Sequence, residues 1–118
     1  MTIEEITEGN KLIAGFMGGK LIKESWVVYE HYIFDSLPST SPSKLKFHSS
    51  WDWLMPVFER MNSLGYAVST TPWTIEIHEY LSGFEELICN VEYGTPITEK
   101  EARYNIAVQF IKWYNSNN

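Results

Sequence analysis

Three things are scarce in this chain, and each scarcity excludes something. There is one cysteine in 118 residues, Cys89. An internal disulfide is therefore impossible, and a reducing cytoplasm fits. Basic residues are few: nine Lys and Arg against fifteen Asp and Glu give a formal charge of −6. General nucleic-acid binding is disfavoured, because neutralising phosphates needs clustered cations. The closest basic pair, Lys44 and Lys46, lies in a Ser/Pro-rich stretch. No apolar run approaches the ~20 residues of a membrane span. The opening MTIEEITEGN is acidic and resembles neither a signal nor a transit peptide. A cytoplasmic protein without a membrane partner is expected, and no motif asks for a cofactor.

Aromatics are abundant, at 15% of the residues, with five Trp, seven Tyr and six Phe. Such residues carry much of the energy of cores and interfaces. The length suits a single domain over 1–118. A first helix is expected from Thr2 to about Met17, with Thr2 and Glu5 as a capping box and Gly18–Gly19 as its stop. KLIKES and WVVYEHYIF (Trp26 to Phe34) read as strands. DSLPSTSPSKLK, residues 35–46, reads as a flexible loop. A second helix follows from about Ser50 to Leu64. The strands YAVST, WTIEIHEY and LICNVEY come next, the last two alternating between apolar and polar residues. The final helix runs from Thr98 to about Asn115, with a second Thr/Glu capping box and a frayed tail at 115–118. The resulting expectation is an α+β fold in the order α-β-(β)-α-β-β-β-α. It has three helices packed on one antiparallel sheet of four to five strands.

Two helices carry more apolar surface than one sheet can cover. On the last helix, Tyr104, Ala107, Val108, Ile111 and Tyr114 form one stripe, and Ile106, Phe110 and Trp113 form a second beside it. Together they span roughly 240° at about 100° per residue, against the stripe of a little over ~100° that a sheet-packed helix needs. On the second helix, Trp51, Leu54, Met55, Phe58 and Met61 make the main face, widened by Trp53, Val57 and Leu64. The first expectation is that the two helices lie side by side. The second is a homodimer through the 50–64 and 98–114 helices, and the third a ligand groove lined by Trp53 or Trp113.

Candidate chemistry is sparse. GFMGGK (Gly15 to Lys20) has glycines and a lysine but follows a helix and lacks Ser or Thr after Lys20, so it reads as a helix stop and not a phosphate loop. Glu76, His78 and Glu92, with Asn90, could share a polar sheet face and hold a metal or act as an acid–base pair. A plain solvated face is the preferred reading. His48, Ser49, Ser50 and Asp52 suggest a nucleophile, but serine ahead of a helix is more often its cap. Cys89 falls with Leu87 and Val91 on the expected inner face and reads as an inert core thiol. Tyr29 and His31 share a strand face that could stack on a base. Pro56 either breaks the second helix or sits harmlessly in its first turn.

Three segments carry a resemblance. NKLIAGFMGG (Asn10 to Gly19), FHSSWDWLMPVFERMNSLGY (Phe47 to Tyr66) and TEKEARYNIAVQFIKWYN (Thr98 to Asn115) resemble the helical blocks of the phage ABA sandwich domain family. The shared pattern is a helix ending in Met-Gly, then an aromatic, serine and tryptophan stretch (here Phe-His-Ser-Ser-Trp) before a helix ending in Gly-Tyr, then strands and a closing helix with a late Trp. The resemblance implies helices on a β-sheet and a phage or prophage source, and it carries over no catalytic residue. The expected function is a non-enzymatic binding protein that sequesters a host nucleotide signal or blocks a host protein. Trp53, Trp113, Tyr29 and His31 would line its site, and Lys20, Lys44, Lys46 or Arg103 would meet phosphate. The alternatives are a small metal-dependent or acid–base hydrolase using Glu76, His78 and Glu92, or a purely structural interaction module.

Overall fold

A computed structural model describes residues 2–24, 29–34, 37–40, 45–80, 85–94 and 97–117, with backbone alone between 20 and 40. The elements are α1 (Ile3–Phe16), β1 (Lys20–Glu24), β2 (Tyr29–Phe34), β3 (Leu37–Thr40), α2 (Trp51–Ser63), β4 (Tyr66–Thr70), β5 (Thr74–Glu79), β6 (Glu86–Glu92) and α3 (Glu99–Asn117). The α+β class and the three helices agree with the sequence. The sheet does not: in place of one sheet of four to five strands there are two antiparallel sheets, β1-β2-β3 and β4-β5-β6.

The stretch expected as a flexible loop at 35–46 contains β3. Phe34 pairs with Leu37 and Tyr32 with Thr40, so Pro38 and Ser39 together oppose the single residue Ile33. That bulge tolerates a proline, which has no N–H to give to a ladder. Trp26 to Val28 of the expected aromatic strand lie outside the described residues.

A second bulge changes which residues of β6 face inward. Ile77 pairs with Cys89, but His78 pairs with Leu87, so Ile88 is the extra residue. Beyond it the alternation reverses. Leu87, expected inside, is 50% exposed, while Cys89 stays buried. Trp73, expected to extend the inner face of β5, is 68% exposed. It lies ahead of the strand, in a turn that Thr71 closes with bonds from its backbone N–H to the Thr74 carbonyl (2.8 Å) and from the Thr74 N–H to its hydroxyl (3.0 Å).

The helix termini follow local chemistry. Thr2 accepts from the Glu5 N–H at 3.1 Å, and Thr98 accepts from the Glu101 N–H at 3.2 Å. At the end of α1, the Gly19 N–H reaches the Ala14 carbonyl and the Gly18 N–H that of Gly15. This paired closure places Gly18 at φ +83°, where a side chain would be strained. The expected frayed tail is helical through Asn117, whose side-chain amide bonds the Trp113 carbonyl. In α2 the serine cap is missing, since Ser50 makes no side-chain capping bond. Pro56 is the sixth helical residue, past the first turn. The Asp52 carbonyl therefore loses the amide it would receive in a regular helix.

All three helices run in the same sense. Tyr104 of α3 donates to the Ile6 carbonyl of α1, and further along both helices Tyr114 stacks on Phe16. Lys100 of α3 donates to the Ser49 carbonyl just ahead of α2, while Leu64 and Tyr114 meet at the other end. Helix α3 lies between α1 and the β5–β6 strands, and α2 packs on β4 and α3. Its two apolar stripes are thus covered from both sides within one chain. Ala102, Tyr104, Ile106, Ala107, Phe110 and Ile111 are all buried.

Close approach of α1 to α3 depends on Gly9. A Cβ there would run into the Tyr104 hydroxyl and press on Val108. Tyr104 is buried and its hydroxyl is committed to Ile6, so the ring has little room to yield. Gly9→Ala is expected to destabilise the protein by ~1–3 kcal/mol, the usual cost of overpacking. An unchanged or raised urea midpoint would show that the helices can separate cheaply.

Candidate functional site

The polar face of the β4–β6 sheet brings together part of the expected constellation. Glu76 and His78 sit two residues apart on β5 and point the same way. Glu76 Oε2 is 2.9 Å from His78 Nε2. The other ring nitrogen, Nδ1, lies 3.0 Å from Glu85 Oε1, off the line of a hydrogen bond. Glu92 is not part of the group, because it pairs opposite Thr74 while Asn90 takes the place opposite Glu76. The sequence reading missed Glu85 because its position depends on how the chain turns between β5 and β6.

This arrangement suits a fixed imidazole better than a working one. The carboxylates engage opposite edges of the ring, so the donors diverge where a metal would need them to converge. Among the described residues no group of three or more His, Cys, Asp or Glu is placed to hold a metal ion. Nδ1 is fully buried and the side chain only 12% exposed, which leaves no open nitrogen for a substrate proton.

The other expected site residues are dispersed. Trp53 is half-buried, with its ring edge-on to Phe47 at 5.1 Å, so a neighbour in the chain covers it. Trp113 packs edge-on against Tyr66 and tilted against Phe110, both at 5.9 Å. Arg103 does not reach toward solvent. Its side chain is 16% exposed, its guanidinium lies over the rings of Trp51 (5.8 Å) and Phe58 (5.5 Å), and Nε bonds Glu99 at 3.2 Å. It pins α3 to α2. Lys20 pairs with Ile33, Tyr29 with Glu24 and His31 with Ile22 on the β1–β2 ladder. The side chains of all three, and Lys44 altogether, lie outside the described residues. Cys89 is buried, and burial pushes its thiol pKa up, as an inert core cysteine requires.

Two grooves open between the helices, and both were missed. The first, about 340 Å³, lies along α1 and α3 with Glu4, Glu5 and Glu8 on its rim, Lys112 opposite and Tyr104 at its base. The second, about 320 Å³, lies where the three helices end. Lys11 and Phe16 come from α1, Arg60 from α2 with Leu64 just past its end, and Tyr114 from α3. The Phe16 and Tyr114 rings are nearly parallel, 10° apart with centroids at 5.7 Å, and the Arg60 guanidinium sits 5.3 Å above Phe16. A Cβ added at Gly15 would meet open space, so the groove floor is wide there. No carboxylate lines it. Lys11 and Arg60 are far apart in sequence and on the polar side of their helices, so no motif announces them.

No helix among the described residues is long and apolar enough to cross a membrane. Comparison of the chain with models of known families, with characterised proteins and with solved structures gives no match.

Two outcomes test these assignments. Arg103→Lys should cost ~1–2 kcal/mol in chemical denaturation, because a lysine cannot lie flat over both rings. The Glu99 pair, exposed on its acidic side, contributes little of that. Zinc or manganese in excess should leave the thermal midpoint where it is. A metal-induced rise that disappears in His78→Gln would reinstate the metal reading.

Proposed function

We propose that the chain is a small non-enzymatic binding protein of phage or prophage type that sequesters a nucleotide-class ligand of the host. The groove formed by Lys11, Phe16, Arg60 and Tyr114 carries this reading. In a chain of net charge −6, two cations line this groove and no carboxylate does, although Lys11 also lies 3.9 Å from Glu8 at the edge of the neighbouring groove. Its volume sits at the low end of the ~300–1,000 Å³ of small-molecule sites. Aromatic faces beside cations suit a ligand with a flat ring and a negative group. The three helix C-termini nearby contribute about −0.5 charge each. With Glu8 beside Lys11 no positive margin is left over these ends, so Arg60, held over Phe16, is the cation that selects a negative group, and the apolar walls supply the rest of the affinity. Arg60 thereby takes the phosphate-binding role first given to Lys20, Lys44, Lys46 and Arg103.

The resemblance of the helical segments to the phage ABA sandwich family supports the source, and sequestration of a host signal would make the protein a counter-defence factor. The closed geometry of His78 favours binding over hydrolysis. A second reading, blockade of a host protein, is favoured by Trp51 and Met55, which stay exposed one turn apart on α2. Calorimetry against mono-, di- and cyclic nucleotides tests the first reading. Binding that weakens at least ~10-fold in Arg60→Ala, and falls as salt is raised, is the expected result. Absence of binding across the panel, with no nucleotide retained in native mass spectra of protein purified from cells, would overturn it.

A further inference from the structure

We infer that the Asn10–His48 contact is a pH-sensitive latch, holding the Leu45–Ser50 turn against α1 only while the His48 ring is neutral. Asn10 is 2% exposed in the middle of α1's buried face, and its side-chain nitrogen is shared between two acceptors. One is the Leu45 carbonyl at 3.2 Å, and the other is His48 Nδ1 at 3.0 Å. An amide nitrogen only donates, so Nδ1 has to offer a lone pair and the ring proton has to sit on Nε2.

Leu45 fixes this polarity. Turning the amide over would place Oδ1 against the Leu45 carbonyl, oxygen to oxygen. It would also move the two amide protons to the buried position where Oδ1 now has no partner. Protonated His48 would therefore point an N–H at an N–H, and the amide could not reorient without losing Leu45.

The surroundings offer a proton at His48 nothing in exchange. From α3, Lys100 contributes a second positive charge, and Tyr104 presents its ring edge-on to the imidazole at 6.1 Å. The Tyr104 hydroxyl is occupied with Ile6, and burial pushes its pKa up to about 12, so it stays neutral. Among the described residues, α1 meets the ring through the uncharged Asn10 amide, which the Leu45 carbonyl holds, and the one charged side chain of the turn, Lys46, is a further cation. Burial, and then Lys100, hold the His48 pKa below its ordinary 6.5. A folded-state value below the unfolded one gives stability that is complete above pH 6.5 and is lost as the pH falls toward the folded value. Release of the turn would uncover Leu45 and Phe47, which the fold keeps buried.

Ring NMR and denaturation together decide the matter. At pH 7.5 the His48 nitrogens should show Nδ1 unprotonated and Nε2 carrying the proton. The ring should titrate below 6.5, and the Ser49 and Ser50 amides, bonded to Lys46, should exchange faster at pH 5 than intrinsic rates predict. The urea midpoint of the native sequence should fall between pH 7.5 and 5, and that of His48→Asn, which keeps an acceptor but cannot titrate, should fall distinctly less. Titration at or above 6.5, a proton on Nδ1, or equal slopes for the two proteins would overturn the latch. If His48→Asn does not fold, the ring titration and tautomer of the native protein decide by themselves. None of these readouts depends on a ligand.

Discussion

Burial of α3 is the constraint on which the rest of this structure depends. Phe110 sits at the centre, within 6.0 Å of Phe16 from α1 and 4.8 Å of Tyr66 from β4, and close to Trp113 and Tyr114 of its own helix. Removing a large apolar side chain from water is worth ~1.5–3 kcal/mol. A helix with apolar residues nearly all round cannot be satisfied by a sheet alone. The chain meets that demand internally, with β5 and β6 on one side and α1 on the other. Polar details then serve the packing. Gly9 clears space for Tyr104, Tyr104 bonds back to α1, and Arg103 fills the join with α2.

The parallel helices have an electrostatic consequence. Antiparallel neighbours cancel their macrodipoles, but parallel ones gather like ends together. Here the positive ends meet acidic first turns, with Glu4 and Glu5 on α1, Asp52 on α2, and Glu99 and Glu101 on α3. The negative ends converge where Lys11 and Arg60 lie. The α1–α3 seam is therefore acidic near its start and basic near its finish, with Leu12 bordering both grooves. The cations of the second groove therefore sit against the negative helix ends, which they partly neutralise.

The three helices and several of their end signals were legible in the sequence because they depend on neighbours three or four residues away. The Thr2 and Thr98 caps and the Gly18 stop are local in that sense. The bulges were not legible. A one-residue slip at Ile88 reverses which side chains face inward, and nothing in LICNVEY distinguishes one register from the other. Pro38 and Ser39 read as loop by composition, yet they form a bulge opposite Ile33 within a strand. Asn10 did leave a trace. It falls between Ile6 and Ile13 on the inward stripe of α1, and a polar residue there needs buried partners.

By itself the sequence determined the class of fold, the presence of three helices, the excess of apolar surface on the last helix, and the absence of an internal disulfide. Each is a matter of composition or of short-range periodicity. Only the tertiary structure decided that the strands form two sheets, that α1 covers the surplus on α3, and that Arg103 is a packing residue. It alone decided that His78 meets Glu85 and not Glu92, and that Lys11, Phe16, Arg60 and Tyr114 share a groove. These depend on contacts between residues as much as 98 positions apart, as for Phe16 and Tyr114, and strand register and helix direction are fixed by the packing of the whole chain.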